Sequence, residues 1–355
     1  LYQLRILDLA HNRLESIHEI MRLNRLEVLD LSQNRLTEIT GIKSISQLKE
    51  LYISYNRLTL IEGLGELTQL KKLDLSHNQL QGYKSIASLL SLEELNLSHN
   101  LIENIEEAEP LNHLKHLNLS NNQLKQVQHI RKLTELRKLD LSNNQITNIK
   151  GIEALSKLEE LELQGNNLSN IQGIEKLSEL RRLYLNENSI THIKGFQNPN
   201  KLVKLTLSNN HLSRIEDIQG IKYLTRLESL DLSRNQLTDI ENIEDLHSLT
   251  SLRALNLHNN RLQSIKGIRS LSQLETIYLS RNQLTEIEGI EDLIHLRTLY
   301  LKNNPLRSGG LQILEKIKIT HSLVIHLDNR IAGQLKQEIE NLKRIKPNLR
   351  FSIGP

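Results

Sequence analysis

Histidine is the residue type in this chain best suited to metal binding or proton transfer, and there are fourteen copies. His77 and His99 hold the same position in two neighbouring 22-residue segments, which would bring them close in a stacked fold, and His116 lies nearby. Neutral imidazole is a common metal ligand, so one chemical hypothesis is a metal site formed by this group. Solvated surface histidines explain the same spacing, and we favour that interpretation, with no metal and no cofactor expected.

Sequence patterns that mark common catalytic sites do not occur in the chain. A phosphate-binding loop, an HExxH pattern and a GxSxG pattern are all missing. Gly63 and Gly65 flank a single residue but lack the third glycine of a dinucleotide-binding loop. The many acidic residues lie in glutamate-rich stretches that we interpret as solvated turns. We therefore predict no catalytic residues and no enzyme activity.

Charge and composition exclude further classes of function. The chain holds 45 basic and 42 acidic side chains, a net charge of +3, and a surplus this small does not predict a nucleic-acid partner. No uninterrupted apolar run approaches the roughly 20 residues needed to cross a bilayer, so we expect no membrane insertion. The chain has no cysteine, which excludes a disulfide framework and fits a cytoplasmic location.

Asparagine recurs at a regular interval and closes the same phrase, LxxLxLxxN, each time. Eleven of the thirteen intervals are 22 residues long and the other two are 25. An amide side chain can donate to and accept from unpaired backbone groups, so we predict a structural role for this column. The ladder asparagines are Asn12, Asn34, Asn56, Asn78, Asn100, Asn122, Asn144, Asn166, Asn188, Asn210, Asn235, Asn260, Asn282 and Asn304.

Each phrase predicts one short strand, because its apolar residues alternate with polar ones. Leu139 and Leu141 should face inward and Asp140 outward. The second half of each repeat has an apolar residue at every third position, which indicates a 3₁₀ turn or tight coil rather than an α-helix. Glycine recurs seven positions after the ladder asparagine, and we expect positive φ there. That column holds Gly41, Gly63, Gly151, Gly173, Gly195, Gly267 and Gly289.

These registered repeats resemble the leucine-rich repeat family, and their length resembles the 22-residue intracellular subclass that includes the phosphatase-1 regulatory subunit. The resemblance implies an α/β solenoid, a curved horseshoe with a parallel β-sheet on its concave face and 3₁₀ or coil turns on its convex face. About fourteen repeats would occupy residues 1–308. Leu1 falls inside a repeat, so we expect further repeats or another domain upstream.

Two regions depart from the simple repeat. The two 25-residue intervals predict a longer convex segment with a short helix. Residues 309–355 form a helix-containing C-terminal cap that resembles the ribonuclease-inhibitor class, with a partner-binding amphipathic helix as the rival interpretation. We predict a helix over 311–317, a strand over 322–328, and a last strand over 348–353. Between the two strands, a helix capped at Asp328 or Asn329 and stopped by Pro347 would bury Ile331, Leu335, Ile339, Leu342 and Ile345.

Without catalytic signals, function must lie on the surface. The residue four positions before each ladder asparagine forms what we call the floor column, and four of the eight tyrosines stand there. Tyrosine is favoured at protein interfaces, so we predict a protein partner on the concave face. The candidate binding residues are Tyr52, Tyr55, Arg182, Tyr184, Arg234, His258, Tyr278, Arg281, Tyr300 and Lys302. Beside this column, basic and acidic pairs alternate from repeat to repeat, which we interpret as a self-neutralised ladder.

The leading hypothesis is therefore a non-enzymatic protein-recognition module or scaffold. A regulatory or targeting subunit of a Ser/Thr protein phosphatase is an alternative that the family resemblance implies. A sensor domain of a larger signalling polypeptide is a third. A consensus-designed solenoid without a natural partner is a fourth, and the irregular C-terminal end speaks against it.

Overall fold

The computed structural model describes residues 3–197, 201–240 and 244–354. The chain forms two compact units. The N-terminal unit comprises residues 1–168 and 176–180, and the C-terminal unit comprises residues 169–175 and 181–355.

The described part of the N-terminal unit holds eight strands of three residues each. Consecutive strands pair in parallel, and each residue lies opposite the residue 22 positions later, as Leu73 lies opposite Leu95. The strands are β1 (Ile6–Asp8), β2 (Val28–Asp30), β3 (Glu50–Tyr52), β4 (Lys72–Asp74), β5 (Glu94–Asn96), β6 (His116–Asn118), β7 (Lys138–Asp140) and β8 (Glu160–Glu162).

The C-terminal unit repeats this arrangement and ends in two longer strands and two helices. Strands β10 and β12–β18 pair in parallel in chain order, while β9 and β11 form a separate pair. The strands are β9 (Asn170–Ile171), β10 (Arg182–Tyr184), β11 (His192–Ile193), β12 (Lys204–Thr206), β13 (Ser229–Asp231), β14 (Ala254–Asn256), β15 (Thr276–Tyr278), β16 (Thr298–Tyr300), β17 (Leu323–Leu327) and β18 (Leu349–Ile353). The helices are α1 (Asn329–Gln334) and α2 (Lys336–Ile345).

Short 3₁₀ helices occupy the second half of most repeats. This matches the apolar spacing of three, because side chains three residues apart lie above one another in a 3₁₀ helix. They span His18–Ile20, Ile42–Ser44, Leu64–Glu66, Lys84–Ile86, Glu106–Ala108, Gln128–Lys132, Ile152–Ala154, Ile174–Lys176, Ile215–Asp217, Ile221–Tyr223, Glu244–Ser248, Lys266–Ser270 and Gln312–Glu315.

The core of each unit is a stack of aliphatic side chains. Leu139 and Leu141 are buried, while Asp140 is half-buried on the opposite face of the strand. The predicted inward and outward faces are therefore confirmed, and with them the fold class, a leucine-rich repeat solenoid with a parallel sheet, 3₁₀ turns and a helix-containing C-terminal end.

The ladder asparagines satisfy backbone groups between neighbouring repeats, which confirms their structural role. The amide of Asn78 donates to the carbonyls of Ile53 and Leu75 at 3.0 and 3.1 Å. Its Oδ1 accepts from the backbone N–H of Leu58 at 2.9 Å. Asn78 is 9% exposed, so these hydrogen bonds form where water cannot replace them.

The glycine column has positive φ at six of its seven positions, as predicted. At Gly151 (φ 103°) a Cβ would lie 2.8 Å from the carbonyl oxygen of Gln128, so a side chain is excluded there. The prediction is wrong for Gly267, which lies inside the 3₁₀ helix Lys266–Ser270 and lacks positive φ.

The longer repeats and the C-terminal end refine the predicted helices. The short helices expected in the 25-residue repeats are present as 3₁₀ helices, and residues 312–315 of the predicted helix 311–317 are helical, again as 3₁₀. The strands over 323–327 and 349–353 are confirmed. Asp328 caps α1 by accepting from the N–H of Ile331 at 2.9 Å. The helix divides at Leu335, and Ile345 is 50% exposed rather than buried, because it occupies the last position before the chain leaves the helix.

Candidate functional site

Each three-residue strand has a middle residue that points into the core, and its first and third residues point to the solvent side of the sheet. We call this side the strand face. The floor column lies on this face at the last residue of each strand. Its members are Asp8, Asp30, Tyr52, Asp74, Asn96, Asn118, Asp140, Glu162, Tyr184, Thr206, Asp231, Asn256, Tyr278 and Tyr300.

Aspartate and asparagine have a local structural task in the floor column. Oδ1 of Asp74 accepts from the backbone N–H of Ser76 at 2.9 Å, and Asn96 bonds to Ser98 in the same way at 3.1 Å. Asp8, Asp30, Asn118, Asp140, Asp231 and Asn256 make the equivalent bond. This bond supports the turn that follows, where the third residue after the floor residue has positive φ. An acidic floor residue is therefore partly explained by the fold alone.

A tyrosine ring cannot accept this hydrogen bond, so a tyrosine in the floor column forgoes it. Tyr52 instead donates its hydroxyl proton to Oε2 of Glu50 at 2.8 Å, and burial together with this carboxylate raises the pKa of Tyr52 to about 12. The ring of Tyr184 lies 5.1 Å from Nζ of Lys204. Tyr278 and Tyr300 follow one another on adjacent strands.

Tyr278 and Tyr300 form part of a three-ring stack that we call the aromatic stack. Their ring centroids are 4.6 Å apart, and the ring of His326 on β17 continues the stack at 4.2 Å from Tyr300. Tyr278 is 36% exposed. Burial and then Tyr300 raise the pKa of Tyr278, while burial and then Lys302 lower the pKa of His326. Both shifts favour the uncharged forms of Tyr278 and His326.

Basic side chains lie beside the aromatic stack. Arg234 and Arg281 are exposed and His258 is half-buried. Both arginines lie in the turns that follow β13 and β15, and both have positive φ, at 53° and 58°. Burial lowers the pKa of His258, and the charges of Arg281 and Arg234 lower it further. The strand face here has positive electrostatic character.

The strand face of the N-terminal unit has the opposite character. A groove of about 360 Å³ there is lined by Tyr52, Asp74, Asp140 and Glu162, among other residues. Burial raises the pKa of Glu162, and the nearby Asp140 carboxylate adds to the effect. Carboxylates dominate this floor.

The predicted ladder of alternating charges is confirmed beside this groove. Glu93 pairs with Lys71 at 3.4 Å and with Lys115 at 2.6 Å, and these cations lower its pKa against the opposing effect of burial. Further pairs join Lys72 to Glu94, Arg137 to Glu159, and Lys138 to Glu160. The ladder neutralises its own charges.

The histidine group does not form a metal centre in the described residues. His77 lies between Tyr55 and His99 in a stack with centroid distances of 3.8 and 3.9 Å, while His116 faces Glu94 at 3.9 Å. Burial and His99 lower the pKa of His77. Across residues 3–197, 201–240 and 244–354, no three histidine, aspartate or glutamate side chains are placed to hold a metal ion.

Six of the ten candidate binding residues lie on or directly after four successive strands of the C-terminal unit, β13 to β16: Arg234, His258, Tyr278, Arg281, Tyr300 and Lys302. Tyr52 and Tyr55 lie in the N-terminal unit, and Arg182 and Tyr184 lie on β10. Sequence reasoning missed His326. It stands between Ile325 and Leu327 as Tyr300 stands between Leu299 and Leu301, so the repeat pattern held the signal.

Comparison with known families identifies the class of protein. A model of two-copy leucine-rich repeats matches residues 3–44, 46–90, 68–113, 90–132, 112–156, 134–176, 200–245, 225–270, 250–292 and 272–308, and a second leucine-rich repeat model matches residues 156–212. The chain belongs to the leucine-rich repeat family, whose members are generally protein-interaction modules. A comparison with curated protein sequences gives no match.

Solved structures show the same fold. A leucine-rich repeat protein of Leptospira interrogans is 28% identical, with a TM-score of 0.82, over 99% of this chain and 96% of its own. A Listeria monocytogenes internalin (inlF) is 29% identical, with a TM-score of 0.76, over 83% of this chain and 86% of its own. The leucine-rich repeat ectodomain of the plant membrane receptor kinase GASSHO1/SCHENGEN3 from Arabidopsis thaliana, in complex with CASPARIAN STRIP INTEGRITY FACTOR 2, is 26% identical, with a TM-score of 0.53, over 92% of this chain and 48% of its own.

Among the residues that the structure describes, no helix is both long enough and apolar enough to cross a membrane.

Proposed function

We propose that this chain is a non-enzymatic protein-recognition module that binds its partner on the strand face of the C-terminal unit. The observation that carries the proposal is the aromatic stack of Tyr278, Tyr300 and His326. Two of its members occupy positions where asparagine or aspartate would add a hydrogen bond to the fold. A tyrosine at such a position removes the floor-column hydrogen bond and leaves an aromatic ring exposed. Contact with a partner explains why tyrosine occurs there.

Two further observations support this choice of surface. The rings are held by their neighbours before any partner arrives, so docking costs little side-chain entropy. A related fold in the comparisons, the GASSHO1/SCHENGEN3 ectodomain, is found in complex with another factor, which supports recognition as the general task.

The test is binding by a double variant that leaves the fold intact. Tyr278→Asn with Tyr300→Asn removes the rings and restores an acceptor for the floor-column hydrogen bond. A partner captured with the wild-type chain is purified, and its affinity is measured by calorimetry. We expect a loss of about tenfold or more, because interface tyrosines are frequent hot spots. The matched control is Tyr223→Asn, which removes an exposed ring from the 3₁₀ helix Ile221–Tyr223 and should bind normally. Equal affinity of the double variant and the wild type would refute the placement.

A second proposal is a targeting subunit of a Ser/Thr protein phosphatase. The 22-residue repeat length supports it, through its resemblance to the phosphatase-1 regulatory subunit. Binding of a purified phosphatase catalytic subunit to the chain tests it, and no binding at micromolar concentrations would remove it. A third is a sensor domain of a longer signalling protein, which the full coding sequence tests. The likeness of residues 309–355 to a ribonuclease-inhibitor repeat remains a proposal of the same kind.

A further inference from the structure

Four basic residues follow one another at the ends of four successive strands of the C-terminal unit. Arg234, His258, Arg281 and Lys302 follow β13, β14, β15 and β16, and we call them the cationic row. The N–H of Arg234 donates to the carbonyl of His258 at 2.7 Å, and the N–H of Arg281 donates to the carbonyl of Lys302 at 2.8 Å. With strands about 4.8 Å apart, the row is roughly 14 Å long.

The charges of the two arginines are not neutralised inside the described part of the chain. Neither guanidinium lies within ion-pair distance of a carboxylate there. Asp231, the acidic residue of this unit's floor column, uses Oδ1 to accept from the N–H of Ser233 at 2.9 Å. Arg253, which immediately precedes β14, is by contrast paired with Glu275 at 2.7 Å. Arg234 and Arg281 therefore differ from this paired arginine of the same unit.

At the Tyr278 end of the aromatic stack, no other ring covers the outer face of the Tyr278 ring among the described residues. Tyr300 covers one side of the Tyr278 ring. On the other side, the residue opposite Tyr278 in the sheet is Asn256, whose short amide is engaged with the N–H of His258 at 3.0 Å. A planar group placed over Asn256 would contact Tyr278 and have Arg281 and His258 at its edge.

Building on the proposed function, we propose that the partner presents an extended acidic segment with an aromatic side chain. Its carboxylates pair with Arg234 and Arg281, and its ring packs against Tyr278 above Asn256. Charged hydrogen bonds to guanidinium groups are the strong class of such contacts. The cationic row is short, and Asp231 and the Arg253–Glu275 pair lie near it. Such a row suits a peptide better than a nucleic acid, which favours positive charge along a whole groove.

The experiment selects phage-displayed random peptides on the purified wild-type chain. The selected peptides are then synthesised and measured by fluorescence anisotropy on the wild type, Arg234→Gln, Arg281→Gln and Tyr278→Asn. We expect enrichment of Asp and Glu next to an aromatic residue. Each arginine variant should weaken binding about tenfold, because it leaves a carboxylate without its charged partner. The control Arg253→Gln removes the same charge from a paired arginine in the same unit and should change affinity less than twofold.

The outcomes separate the two proposals. Selected peptides whose binding is lost in Tyr278→Asn would support the proposed surface. If those peptides are neutral or basic, or if neither arginine variant changes their affinity, the acidic partner alone is overturned. Peptides that bind equally to Tyr278→Asn, or a selection without enrichment, would overturn the proposed surface as well. A single-stranded oligonucleotide is measured in the same assay. If it binds more tightly than the best peptide, and if the arginine variants lose that binding, the partner is a nucleic acid and the inference is overturned.

Discussion

The strand faces of the two units are built from the same repeat but carry opposite charge. In the N-terminal unit the floor column holds Asp8, Asp30, Asp74, Asp140 and Glu162, and most of these carboxylates support the turns that follow them. In the C-terminal unit the corresponding column holds Asp231 as its acidic member and carries the aromatic stack beside the cationic row. The difference shows which floor residues serve the fold and which are free to serve recognition.

The neighbouring charge ladder makes the same distinction. In the N-terminal unit Glu93 lies between Lys71 and Lys115, so each charge has an opposite charge nearby. Arg234 and Arg281 in the C-terminal unit have no such carboxylate among the described residues. A surface that neutralises itself offers a partner little electrostatic gain, whereas Arg234 and Arg281 can attract an oppositely charged partner.

The largest loss of stability is expected at the ladder asparagines, which have the same structural role in both units. Asn78→Ala and Asn282→Ala should each lower the free energy of unfolding by about 2–5 kcal/mol, because each leaves several buried backbone groups without partners. Urea denaturation followed by circular dichroism measures this. The exposed neighbours Gln79→Ala and Gln283→Ala are the controls, with expected changes under about 0.5 kcal/mol. A large effect in one unit alone would break the assumption that both share one scaffold.

An intermediate effect is expected at Asp328, which lies next to the aromatic stack on the C-terminal side. Asp328→Ala removes the cap of α1 and an acceptor of the Asn303 N–H, and should cost about 0.5–2 kcal/mol. Burial raises the pKa of Asp328, but the N–H groups of Asn303 and Ile331 outweigh burial and lower it overall. A lowered pKa means that this stabilisation is present above the unfolded-state pKa near 3.9 and is lost as pH falls through the folded-state pKa.

The measurement is urea denaturation of wild type and Asp328→Ala at neutral pH and at several acidic values. Their difference in unfolding free energy should shrink as the pH falls below about 4. A difference that stays constant over that range would show that the carboxylate charge at this position does not contribute.

The smallest effect is expected in the charge ladder of the N-terminal unit. Glu93→Gln should lower the unfolding free energy by about 0.2–1 kcal/mol, because Glu93 and its partners are partly exposed. In 1 M salt the effect should vanish, since the Debye length falls to about 3 Å. Thermal denaturation at low and high salt compares wild type and variant, with the isolated surface change Gln79→Ala as control. A salt-independent loss would mean that packing rather than charge accounts for the role of Glu93.

Much of the fold was predictable because the repeat leaves little freedom. A leucine at every second position of the strand and an apolar residue at every third position of the turn determine which side chains are buried. The ladder asparagines were predictable because their amides match backbone groups that a repeating turn leaves unpaired. Gly267 and Ile345 were predicted wrongly, since one lies inside a 3₁₀ helix and the other at the end of α2, where neighbours rather than pattern decide conformation and burial.

The candidate site was only partly predictable. The sequence placed Tyr278 and Tyr300 outside the core. His326 has the matching position between two apolar residues, but it lies beyond the last ladder asparagine, and only the folded structure shows that its ring joins theirs. The sequence also predicted only that Asp140 faces outward, whereas Asp140 and its equivalents are engaged in local hydrogen bonds. The ring stack depends on contacts between adjacent strands, and the aspartate hydrogen bonds depend on the conformation of the turn that follows each strand.

The amino-acid sequence alone determined the repeat, its strands and turns, and the residues that face the core, because these follow from local spacing and the burial of aliphatic groups. Tertiary structure decided which polar residues act together. Parallel pairing places residues 22 to 26 positions apart in direct contact, as it does Tyr278, Tyr300 and His326. Stacking and charge neutralisation act over a few ångströms, so only the folded chain reveals which rings touch and which cations remain available to a partner.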